Sequence, residues 1–262
     1  MKLAILTNSP DGIFQRQVIA GAREVGAEIM IDAQGESAGA YPRFMPHDAD
    51  GFLSIANAAP HAFLAAALAA GKPVTLVSHH VRELPIPAVV FNNRQGILEL
   101  VRHLVIDCGR RRLLFVRGIA EQFDAQQREA AFREALLRHS IADAGYISGD
   151  FDPETALHSL SDYMHAGNTF DGVIAADYVM AQAIGERLRE MGRRVPDEVA
   201  LVGFGDGPLA REHGITTVAA DVNELGARAA RQLLHQINGA VITGVTTLNV
   251  RLIPRSSSQN GL

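Results

Sequence analysis

Several apolar runs in this chain stop at residues that could do chemistry. Val173 to Ala176 stops at Asp177, Val199 to Phe204 stops at Gly205-Asp206-Gly207, and Val74 to Val77 stops at Ser78-His79-His80. A short unbroken apolar run is what a strand covered on both faces looks like. In open parallel sheets the ligand sits outside the carboxyl ends of such strands. Enzymatic readings of these residues fail one by one. Gly203-Phe-Gly205-Asp-Gly207-Pro208 places Pro208 where a dinucleotide fingerprint needs its third glycine. His79 and His80 are neighbours, and neighbours on a regular strand face opposite sides, so the pair cannot hold one metal. There is no P-loop, no His-Glu-x-x-His and no Gly-x-Ser-x-Gly elbow. The residues therefore imply no catalytic group, no metal site and no cofactor. They imply binding: a small polar ligand needs a few placed donors and acceptors in an otherwise apolar cleft.

Bulk properties narrow the class. Of 262 residues, 47% are hydrophobic and 20% charged, which suits a packed core of one large domain or two lobes. The net charge of −5 argues against this polypeptide reading DNA by itself, because phosphate contacts need Lys and Arg. The basic run Arg110-Arg111-Arg112 reads as a solvated turn. Cys108 is the single cysteine, so no intrachain disulfide can form, and no activating motif surrounds it. No apolar run is long enough to span a membrane, and Leu3 to Leu6 is too short for a signal-peptide core. A cytoplasmic location is expected.

The elements that must position these residues alternate. Strands are predicted at 3–6, 28–31, 50–55, 74–77, 89–91, 113–116, 145–148, 173–176, 199–204 and 215–218. Helical stripes fall between them: Phe14, Val18, Ala22 and Val25 closed by Gly26; Phe63, Leu64 and Leu68 closed by Gly71; Ile97, Val101 and Leu104 after the caps Asn92-Asn93. Further helices cover 126–139, 153–166 behind Asp152-Pro153, and Met180 to Met191 closed by Gly192. Asp221 and Glu224 make a capping-box pattern for a last helix with Leu225, Ala229, Leu233 and Ile237. Residues 33–47 read as a loop. This βα rhythm implies parallel sheets in an α/β fold.

Phe170 to Gly226 carries a resemblance. Its Asp177 before Met180-Ala181, Arg194-Val-Pro-Asp197, Val202-Gly-Phe-Gly-Asp206, Thr216-Thr-Val218 and Glu224-Leu-Gly226 resemble the effector-binding domain of the lactose-repressor/galactose-repressor (LacI/GalR) family. Asn92-Asn93-x-x-Gly96, His103-Leu104 and the closing 246–253 strand with Arg255-Ser256 extend the likeness over most of the chain. The resemblance implies a two-lobed periplasmic-binding-protein-like type I fold, each lobe a mostly parallel sheet flanked by helices. It divides the lobes as 1–108 with 221–241 and 109–220 with 242–262, the first crossing lying near Gly109. It implies a homodimer, and a ligand held between the lobes whose binding favours one lobe orientation. In the family, DNA is bound by a headpiece N-terminal to what is Met1 here, so DNA contact is expected only through a headpiece outside this chain.

The rim rule and the resemblance nominate ligand contacts. In the first lobe these are Asn8, Ser9, Asp11 and Phe14 after strand one, Ser54 on strand three and His79 after strand four. Asp11 is equally a helix cap, and Phe14 equally core. In the second lobe they are Phe123, Arg128, Asp177 and Asp206. Arg128 resembles the family arginine that reaches the effector, and a guanidinium offers a fixed fork suited to vicinal hydroxyls or a carboxylate. It could also be a surface helix arginine. Asp177 is equally a helix N-cap, and Phe123 equally a helix staple. Asn92 and Gly205 stand where the family has Asp, so a ligand less sugar-like or more acidic than usual is expected. A binding screen returning only neutral monosaccharides would overturn that expectation. Function is thus read as ligand sensing for a LacI-type regulator, the effector being a sugar or sugar derivative. The alternative is a solute-binding receptor for a sugar transporter or signalling system.

Overall fold

The computed structural model describes residues 1–33, 42–45, 47–219 and 221–259. The chain divides into two compact units, Met1–Phe91 with Asp221–Leu248 and Asn92–Ala220 with Asn249–Leu262. In the first unit the elements are β1 (Lys2–Thr7), α1 (Ile13–Arg23), β2 (Glu28–Ala33), β3 (Gly51–Ile55), α2 (His61–Ala69), β4 (Val74–Val77) and β5 (Ala88–Phe91). The second unit contributes α3 (Asn93–Arg102) with a π-helical turn at His103–Asp107, β6 (Leu113–Arg117), α4 (Phe123–His139), β7 (Asp143–Ser148) and α5 (Pro153–His165). It continues through β8 (Gly172–Ala175), α6 (Tyr178–Glu190), β9 (Ala200–Phe204), α7 (Pro208–Glu212) and β10 (Thr216–Ala219). The chain returns to the first unit as α8 (Val222–Ile237) and β11 (Val245–Leu248), then to the second as β12 (Arg251–Ile253).

Both sheets have six strands and the same winding. The first runs β11-β5-β4-β3-β1-β2 and the second β12-β10-β9-β8-β6-β7. In each, the unit's first strand lies between its second and third, so the chain winds outward from it in both directions. That places a topological switch point beside β1 in one sheet and beside β6 in the other. All pairings given are parallel except β10 with β12. Every residue of β3, β4, β5, β8 and β9 is buried, the cost-free state for apolar strands covered on both faces.

The helices form where the stripes predict. In α8, Leu225, Ala229 and Leu233 repeat every four residues and are fully buried. Asp221 caps it by accepting the Glu224 N–H at 3.0 Å, while the Glu224 carboxylate is held by Arg228 and Arg231. Asp152 caps α5 from the Thr155 N–H, and Asn92 caps α3 from the Gln95 N–H. The α1–α8 crossing is closer than side chains allow elsewhere. A Cβ on Gly226 would run into the Val18 carbonyl, and one on Gly21 into that of Asn223.

Two expectations are corrected. The first crossing lies at Phe91/Asn92 rather than near Gly109, because α3 packs on α4 and on β9, β10 and β12 of the second unit. The closing strand expected over 246–253 is two strands: β11 pairs with β5 in the first sheet and β12 with β10 in the second. Residues 242–248 therefore belong to the first unit. Arg110-Arg111-Arg112 is a solvated turn as expected, with Arg111 and Arg112 exposed, and its side chains also bond the protein. Arg110 donates to the carbonyls of Pro196 and Asp197, Arg111 to that of Val105, and Arg112 to Thr169 Oγ1. Most of the 33–47 loop lies outside the described residues; at its edges the Arg43 and Phe44 N–H groups donate to Asp32.

Gly226→Ala should lower unfolding free energy by about 1–3 kcal/mol, since backbone rather than a movable side chain blocks the methyl. Urea denaturation of the variant checks this.

Candidate functional site

Each unit carries a polar rim at the carboxyl ends of its central strands, and the two rims differ in how their polar groups are satisfied. In the second unit the rim is built around Arg128. It lies on the second turn of α4, where Ala125, Phe132 and Ala135 turn one face into the core, and only 7% of it is exposed. Its Nε donates to Asn93 Oδ1 at 2.9 Å, Nη1 to the Ala176 carbonyl at 2.7 Å, and Nη2 to Asp124 Oδ2 at 3.4 Å. Asn93 Nδ2 closes the circuit by donating to Asp124 Oδ1 at 2.7 Å. The guanidinium carbon lies 3.9 Å from the centroid of the Phe204 ring, a cation–π stack. Gly96 on α3 makes room, since a Cβ there would meet Phe204 Cε2 at 2.6 Å. Burial pulls the Arg128 pKa down, with Asp124 and Asp177 opposing it. The ligand-facing and surface-arginine readings are both too simple: Arg128 is the buried hub joining α3, α4 and the end of β8.

Asp177 caps α6, accepting the Met180 N–H at 2.8 Å. Burial pushes its carboxyl up to about 6, against the Met180 hydrogen bond and the charge of Arg128. Asp206 is held on all sides: Arg255 Nη1 at 2.7 Å, Thr217 Oγ1 at 3.1 Å and Arg211 Nη1 at 3.3 Å. It fixes the β9–α7 loop, whose Gly205 has φ +86° and whose Gly207 backs onto the Tyr178 hydroxyl. Phe123 opens α4 and is half-buried.

The first unit's rim is left open. Thr7 Oγ1 at the end of β1, Asn8 Oδ1 beyond it, and Ser78 Oγ and His79 Nε2 beyond β4 are buried atoms without a hydrogen-bond partner among the described residues. His79 is 2% exposed, with Nδ1 3.1 Å from the Val77 carbonyl, and burial drives its pKa down to about 4. Ala56, Asn57 and Ser78 take left-handed φ of 48°, 63° and 59°. Non-glycine residues rarely adopt such angles, and clusters of them mark sites where surrounding structure imposes strain. Ser54 is not open: its Oγ accepts the Ala59 N–H at 3.1 Å inside the core. Asp11 is exposed and caps nothing, because Gly12 occupies the α1 N-cap and no side chain bonds there. Ser9 is exposed, its carbonyl accepting the Gly12 N–H, and Phe14 is half-buried on α1.

Thr7, Ser78, Asn93, Asp124 and Phe204 were missed as site residues. The Asp124–Arg128 spacing of four on one helix was a legible signal for an ion pair. Nothing in the sequence marks Thr7 or Ser78 as unpartnered. Towards the amino ends of β6 and β9, a polar hollow is lined by Asp107, Cys108, Arg110, Pro196, Asp197, Ser258 and Gln259. There His103 bonds Asp107 at 3.0 Å and Ser258 at 2.8 Å, anchoring the C-terminal tail, and burial raises the Cys108 thiol. Among the described residues no three His, Cys, Asp or Glu side chains gather as a metal site, and no helix is long and apolar enough to cross a membrane.

Each unit is a mostly parallel α/β sheet of the same winding with polar residues at its switch point, the place where open sheets of this kind take ligands. The periplasmic binding protein-like domain matches residues 101–258. The chain belongs to that family, and its curated relatives are LacI-type repressors and regulators. It is 27% identical over 192 residues to the ribose operon repressor of Halalkalibacterium halodurans, covering 72% of this chain and 57% of that protein. It is 33% identical over 153 residues to the transcriptional regulator CelR of Thermobifida fusca, covering 57% of this chain and 44% of that protein. The chain thus spans about half the length of the curated relatives it matches. The fold is that of the lac repressor dimer bound to operator and the anti-inducer ONPF, with TM-score 0.87 and 21% identity over 98% of this chain and 93% of that one. The CelR–cellobiose complex has TM-score 0.85 at 24% identity, covering 98% and 84%.

Asp177 sets a pH dependence. Its folded pKa of about 6 lies above the ordinary 3.8, so its stabilising contribution is full below about 3.8 and is lost as pH rises through 6. Asp177→Asn keeps a capping oxygen and removes the ionisation. The variant should gain on the wild type by roughly 1–3 kcal/mol between pH 4 and pH 7, read from unfolding curves of both proteins across that range.

Proposed function

We propose that this chain is the ligand-sensing domain of a LacI-type transcriptional regulator, recognising a small polar molecule such as a sugar or sugar derivative. The observation that carries the reading is the set of buried, unpartnered polar atoms beyond β1 and β4. Each such group costs about 1–3 kcal/mol if it stays unpaired. A ligand with hydroxyl groups would satisfy several at once.

The relatives named above are a repressor and a regulator, which favours this reading over a transport receptor. Binding rather than catalysis is the reading that those regulatory relatives support. Ligand affinity that differs between two conformations would shift their balance, and DNA binding by a headpiece outside this chain would follow that shift. Homodimerisation and a cytoplasmic location complete the proposal.

A thermal-shift panel of pentoses, hexoses, disaccharides, sugar acids, polyols and nucleosides tests it. A cognate compound at 100 times its Kd should add about 2.7 kcal/mol of stability, a shift of several degrees. If no member of the panel moves the transition, the sensing reading falls.

A further inference from the structure

We infer that the first unit's rim selects a ligand that is uncharged where it docks and that offers hydroxyl donors, with His79 Nε2 as the acceptor that makes the selection. The inference rests on the sensing reading and adds the ligand's chemistry to it.

The argument begins with the tautomer. The Val77 carbonyl only accepts, so the contact at 3.1 Å places the hydrogen on Nδ1. Nε2 then carries a bare lone pair, buried and unpartnered among the described residues. Protonating it is opposed by burial and by His80, and its pKa of about 4 keeps the ring neutral at physiological pH. In the ligand-free chain His79 therefore presents an acceptor and no positive charge.

Its surroundings agree. Asn8 Oδ1 is a second unpartnered acceptor, while the hydroxyls of Thr7 and Ser78 can work in either direction. Asp32, at the end of β2, brings a carboxylate that is 2% exposed and has an unpartnered Oδ1. The stretches Thr7 to Asp11, Ala56 to Ala59 and Ser78 to His80, which follow β1, β3 and β4, contain no Lys or Arg. An anionic group beside His79 would meet lone pairs and no Lys or Arg from those three stretches; the backbone N–H of Arg43 bonds the Asp32 carboxylate. In the second unit, Asp124 and Asp177 already face Arg128, so its charge is balanced. The earlier expectation of a more acidic ligand loses its basis. Asn92 is engaged as the α3 cap, with Gln95 on both ends of its amide, and Gly205 holds a positive φ in a loop.

The experiment measures binding of matched pairs to the whole chain by calorimetry: glucose and glucuronate, galactose and galacturonate, cellobiose and cellobionate, ribose and ribose 5-phosphate. At least one neutral member should bind, with its anionic partner weaker by tenfold or more. His79→Leu removes the acceptor and fills the space with an apolar side chain. It should weaken that neutral ligand at least tenfold while leaving the ligand-free melting temperature unchanged or higher. His79→Gln, which restores an acceptor, should return most of the affinity, and it stands as the test if the leucine variant does not fold. Tighter binding of the anionic members overturns the inference and leaves the sensing reading in place. Unchanged affinity in both variants does the same. Failure of every compound, neutral and anionic, sinks both.

Discussion

Arg128 is a permanent charge almost wholly withdrawn from water, and that fact constrains the whole second unit. An isolated buried ion costs several kcal/mol even after the protein relaxes around it. Here the cost is offset from every side: a carboxylate on its own helix, an amide from α3, a carbonyl at the end of β8 and an aromatic face from β9. Those four partners come from four different elements. The guanidinium can be satisfied only if α3, α4, β8 and β9 hold their places together. It therefore works as a gauge of the unit's geometry, and the strand ends beside it inherit that precision. The position of α3 is the clearest consequence. By chain order it follows β5 of the first unit, yet Asn93 and Gly96 bind it into the second.

The contrast with the first unit is instructive because the scaffolds match. Both sheets wind the same way from their first strand, so both present a switch point, and geometry alone would make the two rims equivalent. Their electrostatics are not equivalent. One rim has a charged hub with its partners in hand. The other has neutral acceptors and hydroxyls in buried positions with nothing to bond, next to backbone held at left-handed angles. Satisfied polar networks rigidify, whereas unsatisfied ones in native proteins ask for an explanation.

Much of this architecture was legible in the residues. Apolar runs with polar ends located the strands to within a residue or two. Caps at Asn92, Asp152, Asp177 and Asp221 all formed, since a side chain three residues ahead of an N–H needs no tertiary help to reach it. What depended on distant partners was not legible. The Arg128 hub needs Asn93 and Phe204, 35 and 76 positions away in the chain. The split of the tail into β11 and β12 depends on which sheet edge each half meets, and a run such as Thr246-Thr-Leu-Asn-Val-Arg-Leu-Ile253 says nothing about that. Ser54 shows the same limit from the other direction. Its position on the rim was right, but a turn to Ala59 engages its hydroxyl. Whether a polar atom is free depends on the backbone that folds over it.

The unpartnered atoms of the first rim also bear on how binding could be coupled to a change of state. A ligand shifts a conformational equilibrium only through a difference in affinity between two states. A rim whose groups were already bonded within the protein would give up those bonds to take a ligand, and little difference would remain. Groups that are buried but unbonded give up nothing. A polar group buried without a partner costs about 1–3 kcal/mol, and a ligand that supplies one offsets part of that. The strained backbone at Ala56, Asn57 and Ser78 adds to the same reserve. Three or four such groups exceed the 1–3 kcal/mol at which couplings between sites usually run. The unpaired polar groups thus lie in the first unit and the bonded ones around Arg128 in the second, so a ligand that paired the first rim would break fewer bonds than one that entered the second.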